Sequence, residues 1–152
     1  MGTLKDRIHD DLTAAIKSHD ALRSSTLRMV LAALTTAEKA GKQERELTDD
    51  DVIGVLTSEA KKRREAATAF AAGGRAEMAA KEEAEAGVIA TYLPEQLSAE
   101  DIAALVSSTI ADLGVAGEGM RAMGRVMGVL TPATRGRADG AALSAEVRRQ
   151  LG

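Results

Sequence analysis

Four arginines in the last third of the chain are the residues best suited to do chemistry. They stand in or beside the stretch MGRVMGVLTPATRGRADG at 123–140, which also carries four glycines. Guanidinium groups match the geometry of phosphate oxygens, and backbone amides near a helix start can add further donors. The pattern predicts a nucleic-acid-binding site, for which the candidate residues are Arg121, Arg125, Arg135 and Arg137.

A purely structural role for this stretch stays open on spacing alone. In that interpretation Asp139 and Glu146 pair with the arginines, and the loop only turns the chain. Gly124 and Gly128 lie one helical turn apart, so we expect them to let another helix approach closely while methionines fill the gap. A larger side chain at either glycine would then lower stability by about 1–3 kcal/mol.

The residues of common catalytic and cofactor sites are missing or wrongly spaced. The chain has no cysteine, which excludes thiol nucleophiles and zinc–thiolate sites. Its two histidines, His9 and His19, have neither a chelating nor a catalytic-triad spacing. Gly117, Gly119 and Ala122 fit a relaxed dinucleotide-binding pattern, but a predicted helix rather than a strand precedes them. We therefore predict no catalytic residue, no metal site and no cofactor.

The composition restricts how the protein could bind RNA. A formal net charge of -3 opposes a general polyanion binder, which needs a positive field over its surface. Only Phe70 and Tyr92 are aromatic, so no platform exists for stacking successive bases. RNA binding would have to be local. Neither a secretory signal nor a long apolar run is present, so we expect a cytoplasmic protein without membrane contact.

Helices must position these residues, because no stretch alternates strictly enough for a strand. Four are predicted before Pro94, namely one from Leu4 that fades near Ser18, one from about Leu22 to Ala40, one from the Thr48 cap to Gly73, and one from Ala76 to Tyr92. Three follow, namely one from the Ser98–Asp101 capping box to Gly114, one from about Gly119 to Pro132, and one after Asp139.

The predicted fold is thus all-α. We expect an N-terminal bundle of about four helices in residues 1–93, followed by a small three-helix C-terminal subdomain in residues 94–152.

Several motifs in a fixed order resemble those of the GatB/YqeY family. The similarity lies in YLPEQLS at 92–98, MGRVMGVL at 123–130 and GRADG at 136–140. The earlier stretches LRMVLAAL at 27–34 and KKRREAATAF at 61–70 follow the same pattern. The resemblance covers the whole chain, as expected of a stand-alone YqeY-like protein.

This resemblance implies a two-part helical fold similar to the tail of the B subunit of glutamine-dependent tRNA amidotransferase. A similar region is appended to some glutaminyl-tRNA synthetases, and in both settings it holds the outer corner of tRNA. The implied function is a tRNA-binding module or adaptor linked to a carbon–nitrogen ligase with glutamine as amido donor, not catalytic by itself. The implied partners are tRNA and an amidotransferase or synthetase component. The alternative function is a protein–protein interaction or assembly module, and an independent small ligase is the third hypothesis. The oligomeric state stays open.

Overall fold

The computed structural model describes residues 2–152, and within that range the secondary structure is helical, with no strand. The seven α-helices are α1 (Leu4–Lys17), α2 (Ala21–Glu38), α3 (Asp49–Ala72), α4 (Ala76–Ala90), α5 (Ala99–Leu113), α6 (Met123–Ala133) and α7 (Gly140–Leu151). A single 3-10 turn, Gly119–Ala122, directly precedes α6. The all-α prediction, with about four helices followed by three, is confirmed.

The chain divides into two compact units, Met1–Leu93 and Pro94–Gly152. We call them the N-terminal unit, which contains α1 to α4, and the C-terminal unit, which contains α5 to α7. Each unit has a hydrophobic core of its own, and the burial of apolar side chains in that core stabilises the unit.

The core of the N-terminal unit combines aliphatic side chains from all four helices with one aromatic ring. Its fully buried members include Ile8, Leu27, Leu34, Leu56 and Ile89. Thr3 and Thr48 begin α1 and α3 with capping boxes, in which the side chain of Asp6 or Asp51 accepts a hydrogen bond from the cap amide.

Tyr92 closes this core with a polar cluster. Its hydroxyl donates to Asp11 Oδ2 at 2.5 Å and accepts from Arg23 Nη2 at 3.1 Å, while the Arg7 guanidinium lies 4.9 Å from the ring centroid. Burial raises the pKa of Tyr92 to about 12, and the hydrogen bond to the Asp11 carboxylate adds to the effect. The last residues of the N-terminal unit are therefore tied to both α1 and α2.

A second polar cluster lies between α3 and α4. The Arg63 Nη1 atom is 3.4 Å from Glu59 Oε1, and its Nε atom is 3.6 Å from Glu85 Oε2. The three side chains are only 14%, 13% and 6% exposed, respectively. The spacing of Glu59 and Arg63 in the sequence is that of an exposed i,i+4 pair, and it does not reveal the contact with Glu85 or the burial of the cluster. Arg63 does fall on the same helical stripe as the buried residues Ala60 and Ala67.

The C-terminal unit is built around the apolar stripes of α5, α6 and α7. Val106, Val126, Leu130 and Val147 are fully buried at its centre. The predicted Ser98 capping box begins α5, and Gly114 ends it in the left-handed conformation at φ 67°. These two signals are confirmed.

Pro132 does not end α6 as the sequence suggested, because the helix continues to Ala133. The fixed φ of proline suits a helix, and the next amide, that of Thr134, still donates to the Leu130 carbonyl at 3.0 Å. The missing proline N–H affects the carbonyl four residues earlier, which belongs to Gly128. That residue lies on the exposed side of the helix.

Candidate nucleic-acid interface

The candidate site is the solvent-facing side of α6, which we call the glycine face. Val126 and Leu130 point into the core. Gly124 and Gly128 are two residues away from them, or about 200° around a helix with 3.6 residues per turn. Both glycines, together with Thr131 and Pro132, are exposed.

The expectation that Gly124 and Gly128 pack closely against another helix is wrong for the C-terminal unit. A Cβ atom placed at either position meets no heavy atom of another element or side chain within 4 Å. The reason is that both glycines lie on the side of α6 opposite to the core. A glycine inside a helix costs about 0.5–1 kcal/mol relative to alanine. Internal packing therefore does not require glycine here, and the face presents bare backbone to solvent.

Two of the four predicted arginines meet at one edge of the glycine face. Arg121 lies in the 3-10 turn and Arg125 in the first turn of α6, and both are exposed. Arg125 Nη2 donates to a carboxylate oxygen of Glu118, and the Arg121 Nε atom lies 3.5 Å from the Glu118 carbonyl oxygen. Both arginines thus contact Glu118, a residue that the sequence motifs do not indicate.

The other two arginines follow the far end of α6 and differ from each other. Arg135 is exposed, whereas Arg137 is half-buried. From Arg125 to the end of α6 at Ala133 the helix rises roughly 12 Å, and Arg135 follows in the next turn of the chain. The four predicted residues therefore form two groups, Arg121 with Arg125 at the start of α6 and Arg135 with Arg137 after its end.

Arg137 takes part in a clasp within the C-terminal unit. Its Nε atom donates to the Glu95 carbonyl at 3.1 Å, and its own carbonyl accepts from the Leu97 amide at 2.9 Å. Gln96 Nε2 donates to the Gly136 carbonyl at 2.6 Å. Gly136 has φ 73°, a left-handed conformation that favours glycine. We call this set of contacts the clasp.

The carboxylates near Arg137 and α7 have partners of their own. The Ser98 amide and then its hydroxyl hold the pKa of Asp101 below its usual range, and the charge of Arg137 adds to this effect. Glu146 pairs with Arg149 rather than with any of the four predicted arginines. Hydrogen bonds from Arg149 and Gln150 lower the pKa of Glu146 to about 2.

The basic side chains of the C-terminal unit are all arginines. It has six arginines and no lysine, whereas the N-terminal unit has seven of each. A guanidinium is planar and can present two parallel donors to a phosphate, which a lysine ammonium cannot do. The cations of the C-terminal unit are thus of the type suited to phosphate recognition.

In residues 2–152, no group of three or more His, Asp or Glu side chains is arranged to hold a metal ion. Within the same range, no helix combines the length and apolar character needed to cross a membrane. His9 and His19 are both exposed.

Comparison with known proteins identifies a family and a relative. The family model described as Yqey-like protein matches residues 5–151. Over 91 residues the chain is 34% identical to uncharacterized protein C22F3.15 of Schizosaccharomyces pombe, covering 60% of this chain and 72% of that protein. The chain therefore belongs to the YqeY-like protein family, as its motifs indicated.

Proposed function

We propose that this protein binds tRNA through the glycine face of α6 and the arginines at its two ends. The observation that carries the proposal is the pairing of an exposed, bare helix backbone at Gly124 and Gly128 with the exposed side chain of Arg125. A side chain at the two glycines would hold a ligand away from the helix. Because these two positions carry no side chain, a sugar–phosphate backbone can come close enough for the Arg125 guanidinium to reach a phosphate.

An extended polyanion suits this arrangement better than a small anion. Arg121 and Arg125 lie at the start of α6, and Arg135 lies beyond its other end, which is roughly 12 Å from Arg125 by helix rise. A nucleic-acid strand carries several phosphates along its length and can contact both ends at once. Because the C-terminal unit has six arginines against seven acidic residues, the attraction has to be local.

One feature of the α6 backbone supports RNA rather than DNA as the ligand. Pro132 has no N–H to donate to the Gly128 carbonyl, so this carbonyl lacks the usual amide from four residues later. A ribose 2′-hydroxyl is a donor that DNA lacks and that proteins use to distinguish RNA. We propose that the Gly128 carbonyl accepts a hydrogen bond from such a hydroxyl.

The wider role that we propose follows from the family resemblance. We infer that the protein acts in the cytoplasm as a tRNA-binding adaptor linked to a glutamine-dependent tRNA amidotransferase or a synthetase component. In this role the partner supplies the carbon–nitrogen ligase chemistry, and the present chain holds the RNA.

One observation favours a second candidate function, a docking surface for a helix of a partner protein. Val129 and Met120 are 45% and 49% exposed beside the glycine face, and bare glycines also allow two helices to approach closely. Met123 and Met127, in contrast, are half-buried against the core, so the methionines of α6 itself offer little to a partner.

A matched pair of triple variants tests the RNA proposal. Arg121→Ala, Arg125→Ala and Arg135→Ala together should weaken binding of labelled tRNA at least tenfold and reduce the salt dependence by roughly one counterion per lost contact. The control combines Arg28→Ala, Arg64→Ala and Arg148→Ala, which removes the same charge from exposed positions elsewhere. Equal binding by the two variants, or binding by the natural protein no better than by a folded acidic protein, would refute the proposal.

A further inference from the structure

Glu118 is held beside Arg125 by a turn that requires glycine on both sides. Gly117 has φ 136° and Gly119 has φ 63°, a region of backbone conformation that other residues rarely adopt. These are the glycines that fit a relaxed dinucleotide-binding pattern in the sequence. In the structure they shape a turn before the 3-10 segment, and Ala122, the third position of the pattern, is buried in the core.

The turn places the Glu118 carboxylate against the guanidinium group of Arg125. The carboxylate accepts a hydrogen bond from Arg125, which lies seven residues later in the chain. The two side chains are 39% and 56% exposed, so a ligand in solution can reach both. The Glu118 carbonyl oxygen also lies 3.5 Å from the Arg121 Nε atom.

We propose that Glu118 is an internal competitor of the RNA, whose carboxylate occupies the Arg125 guanidinium until a phosphate displaces it. This inference rests on the proposed function. It assigns Glu118 a specific task, which is to set the affinity and the salt dependence of the interface.

A phosphate that approaches Arg125 meets an ion pair with Glu118, which has no net charge, rather than a free cation. Exchanging one anionic partner of Arg125 for another gains little, because the carboxylate and the phosphate are both good acceptors for a guanidinium. The exchange becomes favourable only when the same RNA also contacts other groups on α6. Competition by the Glu118 carboxylate thus disfavours ligands whose phosphate contacts Arg125 alone, and selects for RNA that also contacts other groups on α6.

A structural role for Glu118 predicts the opposite sign. If the carboxylate served to hold Arg125 in position for the phosphate, its removal would weaken RNA binding. If it competes, its removal strengthens binding. Glutamine separates the two roles well, because its amide oxygen still accepts a hydrogen bond from Arg125 while the charge is gone.

The test measures binding of labelled tRNA to the full chain carrying Glu118→Gln, over about 50 to 200 mM salt. We expect tRNA binding to tighten about two- to fivefold, the factor that corresponds to the free energy of an exposed ion pair. The salt dependence of binding should become steeper by up to one released counterion. In the background of Arg125→Ala, the same substitution should have no more than a twofold effect.

Glu146→Gln is the matched control. It removes the same charge in the same unit and releases another arginine, Arg149, which lies in α7 rather than α6. Unchanged or weaker binding by Glu118→Gln, or an equal gain with Glu146→Gln, would overturn the inference while the tRNA function stands. If neither the natural protein nor Glu118→Gln binds tRNA, the proposed function fails, and the inference fails with it.

Discussion

The two units of this protein place the same side chain in opposite environments. In the N-terminal unit, Arg63 is only 14% exposed and lies between Glu59 and Glu85. In the C-terminal unit, Arg125 is 56% exposed at the edge of the glycine face, where Gly124 and Gly128 carry no side chains. The comparison teaches that burial and nearby carboxylates decide whether an arginine holds helices together or remains available to a ligand.

The largest effect is expected from breaking the buried cluster of the N-terminal unit. Arg63→Met removes the cation and leaves Glu85, which is 6% exposed, without its partner. Loss of one member of a buried ion pair costs about 3 kcal/mol or more. Urea unfolding followed by the fluorescence of Tyr92, the only tyrosine, reports on this unit. Arg64→Ala is the control, since Arg64 is exposed next to it.

A shift of less than about 1 kcal/mol in Arg63→Met would contradict the comparison. It would mean that the arginines of the N-terminal unit are no more structural than those at the surface of α6.

A second prediction concerns the proton of Tyr92. Its pKa is raised to about 12 from 10.0, so the folded protein holds the proton more tightly than the unfolded chain does. The resulting stabilisation is complete below pH 10 and is lost as the pH rises through about 12. The absorbance of the tyrosinate ion should therefore titrate with a midpoint near pH 12.

The substitution Asp11→Asn sharpens this test. It removes the carboxylate that accepts the Tyr92 proton, so the midpoint should move toward pH 10. A midpoint near pH 10 in the natural protein, with circular dichroism showing intact helices, would contradict the assignment of Tyr92 to a buried cluster.

A smaller effect is expected at the clasp, where the C-terminal unit uses an arginine structurally. Arg137→Ala removes one hydrogen bond, from Nε to the Glu95 carbonyl, worth about 0.5–1.5 kcal/mol. The segment containing Glu95 should then open more often, and a glutamate-specific protease should cut after Glu95 about two- to tenfold faster. Arg148→Ala, at an exposed position of α7, should leave the rate unchanged. Equal rates in the two variants would remove the distinction between Arg137 and the other predicted arginines.

The fold was largely predictable from the sequence because its signals are local. Thr48, Ser98 and Gly114 begin or end helices through contacts within a few residues. The buried ion cluster was not predictable in this way, since Glu85 lies 22 positions after Arg63 and on another helix. A lone arginine on the apolar stripe of α3 was the available signal.

The candidate site was only partly predictable for a related reason. Spacing shows that Gly124 and Gly128 share one side of a helix, and the apolar positions Val126 and Leu130 indicate that this side faces away from the core. The angle of about 200° between the glycines and these apolar positions excludes close packing of the glycines within the C-terminal unit. The pairing of Glu118 with Arg125 depends on the φ values of two glycines, which spacing does not reveal.

The most direct test of RNA binding at the glycine face replaces two helical glycines in each unit with glutamine, a helix-forming side chain without charge. Gly124→Gln with Gly128→Gln fills the proposed interface. Gly54→Gln with Gly87→Gln fills two helical positions of the N-terminal unit that are equally open around their Cβ. Neither pair should lower stability, because glutamine favours a helix more than glycine does. Measured by tRNA titration at one salt concentration, the first pair should bind at least tenfold more weakly than the natural protein, and the second should bind equally well. Unchanged tRNA binding by the folded Gly124 and Gly128 variant would contradict the claim that RNA contacts this face.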